Sequence, residues 1–287
     1  SRGLGDVYKR QVVLNLYLTV CQIGKTTALQ RQMIGGTSNS IGMAIAPLVI
    51  SYLIFHGTPL HDIVTKQFII PLIVLILIML IVTLFVGRIQ MPSIDNVGQA
   101  PGEKLDKSVW SFRNLKLGVW GIFFYVGIEV AVGANVNMYA SELGGSFASN
   151  ATHMAALYWG LLLLGRFLGS FIRQIPSEKQ LVIASIGAIM LLVLAMLTGN
   201  PWILTGIGFF HSIMWPAIFT LATDKLGKYT TKASGVLTMG VIGGGIIPLL
   251  QGIFADVMGG NWLWTWLLVI AGEAYILYYG LNGYKQH

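Results

Sequence analysis

Glu129 is the residue that most needs a chemical account. It lies in "FYVGIEVAVGANVNMYASE" (124–142), a stretch otherwise apolar enough to be membrane interior. A carboxylate at the centre of a membrane helix costs about 3 kcal/mol on insertion scales, and such acids face a water-filled cavity or a partner group. Tyr125, Glu129 and Gly133 follow at steps of four, with Asn137 on the same side, so one face of the expected helix carries a polar stripe. Two readings follow. Either the stripe lines a ligand cavity, with Glu129 accepting hydroxyl hydrogens or carrying a proton, or Glu129 is held protonated by a neighbouring helix and serves packing alone.

His211 lies in "GFFHSIMWPAIF". Pro216 has no N–H to give the carbonyl of Ser212, so an acceptor is left free one residue beyond the imidazole, and Trp215 is one turn further on. An aromatic face beside hydroxyl-binding groups has the composition of a carbohydrate site; the plainer reading is a histidine satisfied inside the bundle. The same reasoning selects Asn39 in "RQMIGGTSNSIGMAIAP", where Pro47 frees the carbonyl of Met43, and Gln251 after "GVIGGGIIP", where three glycines and Pro248 make a bendable span. For both, ligand contact and helix packing are equal alternatives. Glu273, in "VIAGEAYILYYG", is the second buried-looking acid; pairing with a neighbouring helix is its first reading and proton coupling its second. Arg166 and Arg173, in "GRFLGSFIRQIP", lie at an expected helix end, where arginine can bridge helices as a gate or snorkel to headgroups.

These residues need spanning helices to position them. Of 287 residues 55% are apolar and only 10% charged, with mean hydropathy +0.71, which excludes an ordinary soluble domain. The formal charge of +7 has no basic stripe with interleaved aromatics, so nucleic acid is not an expected partner, and the charge reads as membrane topology. Cys21 is alone, so neither a disulfide framework nor a thiolate metal site can be built, and no cofactor or metal is expected. "GKTT" at 24–27 lacks the glycine that a phosphate loop needs at position 19, which is Thr19. "NAT" at 150–152 is a tripeptide common by chance, and the pairs Gly165/Gly169 and Gly240/Gly244 read as close helix contacts.

Apolar runs predict a partial span at about 12–24 and whole spans near 30–55, 68–88, 116–140, 152–174, 180–198, 201–223, 233–256 and 262–282. Residues 1–11, "SRGLGDVYKRQ", read as a non-native, adapter-like leader. Residues 12–88 then form the remainder of one six-helix half, 89–115 a central linker, and 116–287 the second half. Basic residues fall on alternate loops: Lys25 and Arg31, then the linker, Arg173 and Lys179, Lys225, Lys228 and Lys232, and Lys285. The opposite loops contribute only Lys66, so the first side, with the C-terminus, is expected to be cytoplasmic. Six spans after the linker and three at or before it point to an all-α bundle of twelve helices whose first three are missing.

The stretches around Asn39, Glu129, Arg166, His211 and Gln251, taken together, resemble the fucose/proton symporter family of the major facilitator superfamily, including its glucose/galactose transporter branch. The resemblance covers nearly everything after residue 12. It implies a proton-coupled monosaccharide importer of a bacterial inner membrane, working by alternating access, with a sugar, a proton and the lipid bilayer as partners and a monomeric state. The family's "YVGxE" pattern falls on Tyr125 to Glu129, and Asn39 matches an asparagine associated with sugar binding. Asn39, Tyr125, Glu129, Asn137, His211, Trp215 and Gln251 are then the expected sugar-site residues, Glu129 the proton-coupling residue, and Arg166 and Arg173 the gate. The chain departs from the pattern at Gly36, a glutamine in fucose-specific relatives, and at His211, commonly asparagine in the glucose/galactose branch. A coupling carboxylate of the family's fourth helix would fall at about residue 10 or 11, inside the leader. The competing expectations are a polytopic membrane enzyme or sensor, for which His211, Glu129 and Glu273 lie on three separate spans, and an inactive fragment of a transporter.

Overall fold

The structure is a computed structural model that describes residues 15–20, 24–48, 69–88, 105–172 and 174–286. These residues are helical throughout, joined by turns, without a strand among them. In chain order the helices are α1 (15–20), α2 (Ala28–Leu48), α3 (Ile69–Arg88), α4 (Arg113–Leu143), α5 (Ala151–Gly169), α6 (Ser177–Thr198), α7 (Trp202–Thr223), α8 (Gly227–Val257) and α9 (Trp266–Tyr278). Each expected span has a helical counterpart among the described residues. Helices α4, α6, α7 and α8 are long and apolar enough to cross a membrane. The chain divides into two compact units, residues 1–40 with 96–287, and residues 41–95.

In the second unit, α3 is apolar around its whole circumference, and Ile70, Ile81 and Phe85 are all strongly exposed. A helix without a polar face has no stable place in water and is stable in hydrocarbon.

The first unit is organised around α4, which packs against α5, α7, α8 and α9. Its 31 residues span roughly 45 Å at 1.5 Å per residue, more than the roughly 30 Å of a hydrocarbon core. Glycines set how closely its neighbours approach. A Cβ at Gly243 of α8 would run into the backbone carbonyl of Phe123, and one at Gly240 would strike that of Val119, so α8 lies almost backbone to backbone on α4. Gly165 of α5 has the same relation to α7, meeting Ser212 and the carbonyl of Phe209. Both glycine pairs therefore do what their spacing suggested.

Two helices are interrupted where the site is built. α7 consists of segments Trp202–Thr205, Ile207–His211 and Met214–Thr223, with Ser212 and Ile213 between the last two. α8 passes through a 3-10 stretch, Thr238–Ile242, before its final segment, which contains Pro248. α5 ends at Gly169 rather than near 174, because Ser170, Phe171 and Ile172 turn their N–H groups to carbonyls three residues back, tightening the last turn. α1 is joined to α2 by Arg31, whose guanidinium takes the carbonyls of Leu18 and Thr19 at 2.7 and 2.8 Å, acceptors that a helix end leaves unpaired. The start of α2 is joined to the end of α5 by Gln30, which donates to the carbonyl of Ser170 at 2.9 Å.

Candidate functional site

Glu129 lies at the middle of α4, its side chain 14% exposed. The hydroxyl of Tyr125, one turn earlier, donates to Glu129 Oε1 at 2.8 Å, and Arg166 Nη2 of α5 is 3.5 Å from the same oxygen. Both contacts use the same carboxylate oxygen, Oε1. Arg166 is itself buried and ties three helices together. It donates through Nη1 to Ser40 Oγ of α2 at 2.7 Å and through Nε to the carbonyl of Ser212 in α7 at 3.4 Å. The carbonyl freed by Pro216 is thus where the proline placed it, and its partner is the guanidinium.

Behind this pair is a second, fully enclosed one. His211 Nε2 is 2.6 Å from Glu273 Oε1 of α9, and neither side chain is exposed. Glu273 Oε2 has no hydrogen-bond partner. The other imidazole nitrogen, Nδ1, is 2.7 Å from the hydroxyl of Tyr158 in α5, which also lies 3.1 Å from the backbone carbonyl of Glu129. Trp215, half-buried, completes an aromatic group with Tyr125 at 6.4 Å and Phe219 at 6.3 Å between ring centroids.

The structure therefore brings together Tyr125, Glu129, Arg166, His211, Trp215 and Glu273, from four helices. Glu129, His211 and Glu273, on separate spans in sequence, meet through Tyr158. Among the described residues no three His, Cys, Asp or Glu side chains are arranged to hold a metal ion. Glu273 does pair with a neighbouring helix.

Other expected residues sit differently. Gly133 belongs to the α4 stripe by spacing, but a Cβ there would strike the rings of Trp159 and Tyr158, so its role is close packing. Asn137 is half-buried further along the same helix, and Asn39 is exposed on α2 beside the buried Ser40. Gln251 is fully buried and engaged at both ends, accepting from Asn135 Nδ2 at 2.9 Å and donating to Thr265 Oγ1 at 3.0 Å. It braces α8 against α4 in this conformation. Arg173 lies outside the described residues. An apolar cavity of about 150 Å³ between α5, α6 and α7, lined by residues including Gly165, Ile183 and Phe210, contains none of the expected sugar-site residues.

Sequence reasoning missed Tyr158, Ser40 and Asn135. Tyr158 was legible in principle, since Tyr158, Leu162, Gly165, Arg166 and Gly169 form one helical face and all are buried. Ser40 and Asn135 had no such signal, each being a small polar residue whose partner is distant in sequence.

A bundle of membrane-length helices around buried, paired charges defines a polytopic membrane protein with an intramembrane polar site. The chain belongs to the Major Facilitator Superfamily, whose pattern matches residues 31–248. It is 34% identical over 285 residues to the glucose/galactose transporter of Brucella abortus, covering 96% of this chain and 68% of that protein. It is 28% identical over 199 residues to the L-fucose-proton symporter of Escherichia coli, covering 66% of this chain and 45% of that one. The crystal structure of the E. coli fucose:proton symporter FucP superposes with a TM-score of 0.81 over 95% of this chain and 72% of that chain, at 23% identity, a likeness of fold.

Proposed function

We propose that the protein imports a hexose, glucose or galactose in class, together with a proton, by alternating access across a bacterial inner membrane, with its C-terminus cytoplasmic. The observation that carries this reading is the Tyr125–Glu129–Arg166 constellation: a membrane-embedded carboxylate whose hydrogen bond and ion pair both fall on Oε1, in a chain 34% identical to a glucose/galactose transporter over 96% of its length. In this reading Glu129 Oε2 accepts sugar hydroxyls, Trp215 offers a ring face, and Asn39 and Asn137 supply amides from either side. Glu129 also couples the proton, because protonating it would release Arg166 from its only carboxylate partner among the described residues.

Arg166 is the gate. Its bonds to Ser40 and to the carbonyl of Ser212 join α2 to α5 and α7. Losing Glu129 as a partner would free the guanidinium and let α2 separate from them. His211 and Gln251 lie in the wall of the site and reach the sugar only if the helices rearrange. Residues 12–88, the linker 89–115 and residues 116–287 are the two halves and their connection in this scheme, and the transporter acts as a monomer.

The test is uptake of labelled galactose and glucose by vesicles containing the protein, with and without an inward proton gradient. The proposal expects accumulation that follows the gradient and collapses with an uncoupler. Uptake indifferent to the gradient removes the symport; no uptake of either hexose removes the substrate class.

A further inference from the structure

The contacts of Tyr158 constrain the protons around it. Its hydroxyl has one hydrogen and two neighbours within bonding distance, the carbonyl of Glu129 at 3.1 Å and His211 Nδ1 at 2.7 Å. A carbonyl can only accept. If both contacts are hydrogen bonds, Tyr158 donates to the carbonyl and His211 Nδ1–H donates to the tyrosine oxygen. A histidine protonated at Nδ1 meets Glu273 through Nε2, and the 2.6 Å between Nε2 and Oε1 must then contain a further proton, since two bare lone pairs would repel at that distance. The proton lies on the carboxyl oxygen as a neutral acid beside a neutral imidazole, or on Nε2 as an ion pair. Both have the same proton count and no net charge.

The alternative arrangement has one proton fewer. Tyr158 donates to Nδ1, Nε2–H donates to Glu273, and a carboxylate of net charge −1 is left fully enclosed, with Oε2 unpartnered. Burying an uncompensated charge is the most costly of these states. Among the described residues the surroundings offer the pair no other compensation. α6 has no ionisable side chain from residue 180 to 198, and α7 has only His211. From α4 come Tyr125 and Glu129, which bond each other. From α5 come Tyr158 and Arg166, and the guanidinium is engaged with Glu129, Ser40 and Ser212. On α9 the Tyr275 hydroxyl is turned away to the carbonyl of Leu117.

We propose that His211 and Glu273 form a second intramembrane proton-binding site, holding one proton between Nε2 and Oε1, and that Tyr158 links its occupancy to the position of α4 at Glu129. When the carbonyl of Glu129 moves out of reach, the Tyr158 hydrogen turns to Nδ1. The Nδ1 proton passes to water admitted by the same movement of α4, the tautomer changes, and the pair is left with one proton fewer while Nε2–H remains bonded to Glu273. The use of this proton in transport rests on the symport reading above; its presence does not.

The experiment is a pH titration of the purified protein followed by infrared difference spectroscopy, which detects the carbonyl stretch of a buried protonated carboxyl group without any sugar. The expected result is such a band that bleaches as pH rises, vanishes in Glu273→Gln, and titrates at a different pH in Tyr158→Phe. A band that persists unchanged in Glu273→Gln overturns the proposal. So does a Tyr158→Phe titration identical to wild type, which removes the linkage. Should Glu273→Gln fail to fold, the band must shift with isotopically labelled glutamate and survive Glu129→Gln, and its loss in Glu129→Gln assigns it to the wrong acid. A pair that stays an ion pair shows no carboxyl band, so histidine nitrogen NMR is read in parallel. One imidazole with both nitrogens protonated supports the site, and all histidines neutral without a carboxyl band contradict it. Failure of these readings with gradient-driven uptake intact rejects the second site alone, whereas gradient-indifferent uptake rejects the symport.

Discussion

Glu129 and Glu273, the two acids of the polar site, are solutions to the same cost with opposite consequences. Glu129 is slightly exposed and is balanced by a guanidinium, a group that does not lose its proton in proteins. Glu273 is sealed and is balanced by an imidazole, whose two ring nitrogens can each give or take a proton. The first arrangement places both contacts on one carboxylate oxygen and, in the proposed scheme, makes the pair a contact that can open. The second is closed to solvent among the described residues and, in the proposed scheme, stores a proton instead. In the proposed scheme, burial depth and partner type, more than the presence of an acid, divide a substrate-facing role from a proton-holding one.

Substitutions should separate the two pairs by size of effect. Arg166→Ala leaves the Glu129 carboxylate, Ser40 and the Ser212 carbonyl without their donor, and is expected to cost about 3 kcal/mol, the lower end for breaking a buried pair because the contact is 3.5 Å and partly exposed. Thermal unfolding of the purified protein reads this, and adding Glu129→Gln should recover part of the loss. His211→Leu is expected to cost about 2 kcal/mol, since it leaves Glu273 buried with neither oxygen bonded. The double variant with Glu273→Leu should be closer to wild type than either single change. Tyr125→Phe removes one bond to Glu129 Oε1 and should cost about 1 kcal/mol while loosening hexose binding. Tyr158→Phe should be smallest in stability, about 0.6 kcal/mol as for an average interhelical hydrogen bond in a membrane. Its signature is a change in the pH at which the buried carboxyl band is lost.

Much of this was legible in one sequence, for physical reasons that differ by feature. Hydropathy and loop charge are sums over many residues, so the α4, α6 and α7 boundaries follow from them to within a few positions. Pro216 acts locally, and the acceptor it frees is where the backbone rule puts it. Glu129 and Glu273 were visible because ionisable residues are rare in membrane spans. Pairings were not legible: Arg166 with Ser40, 126 residues away, and His211 with Glu273, 62 residues away, depend on how helices stack. Gly133 misled because spacing gives a face but not what occupies it, and two aromatic rings fill the space next to that glycine.

Equilibrium binding of galactose to purified Glu129→Gln and Glu273→Gln, measured side by side with wild type at one pH, tests the division of roles most directly. The account predicts that Glu129→Gln weakens binding at least about tenfold, or roughly 1.4 kcal/mol, while Glu273→Gln stays within about twofold. Equal losses in the two variants, or a larger loss in Glu273→Gln, would contradict it.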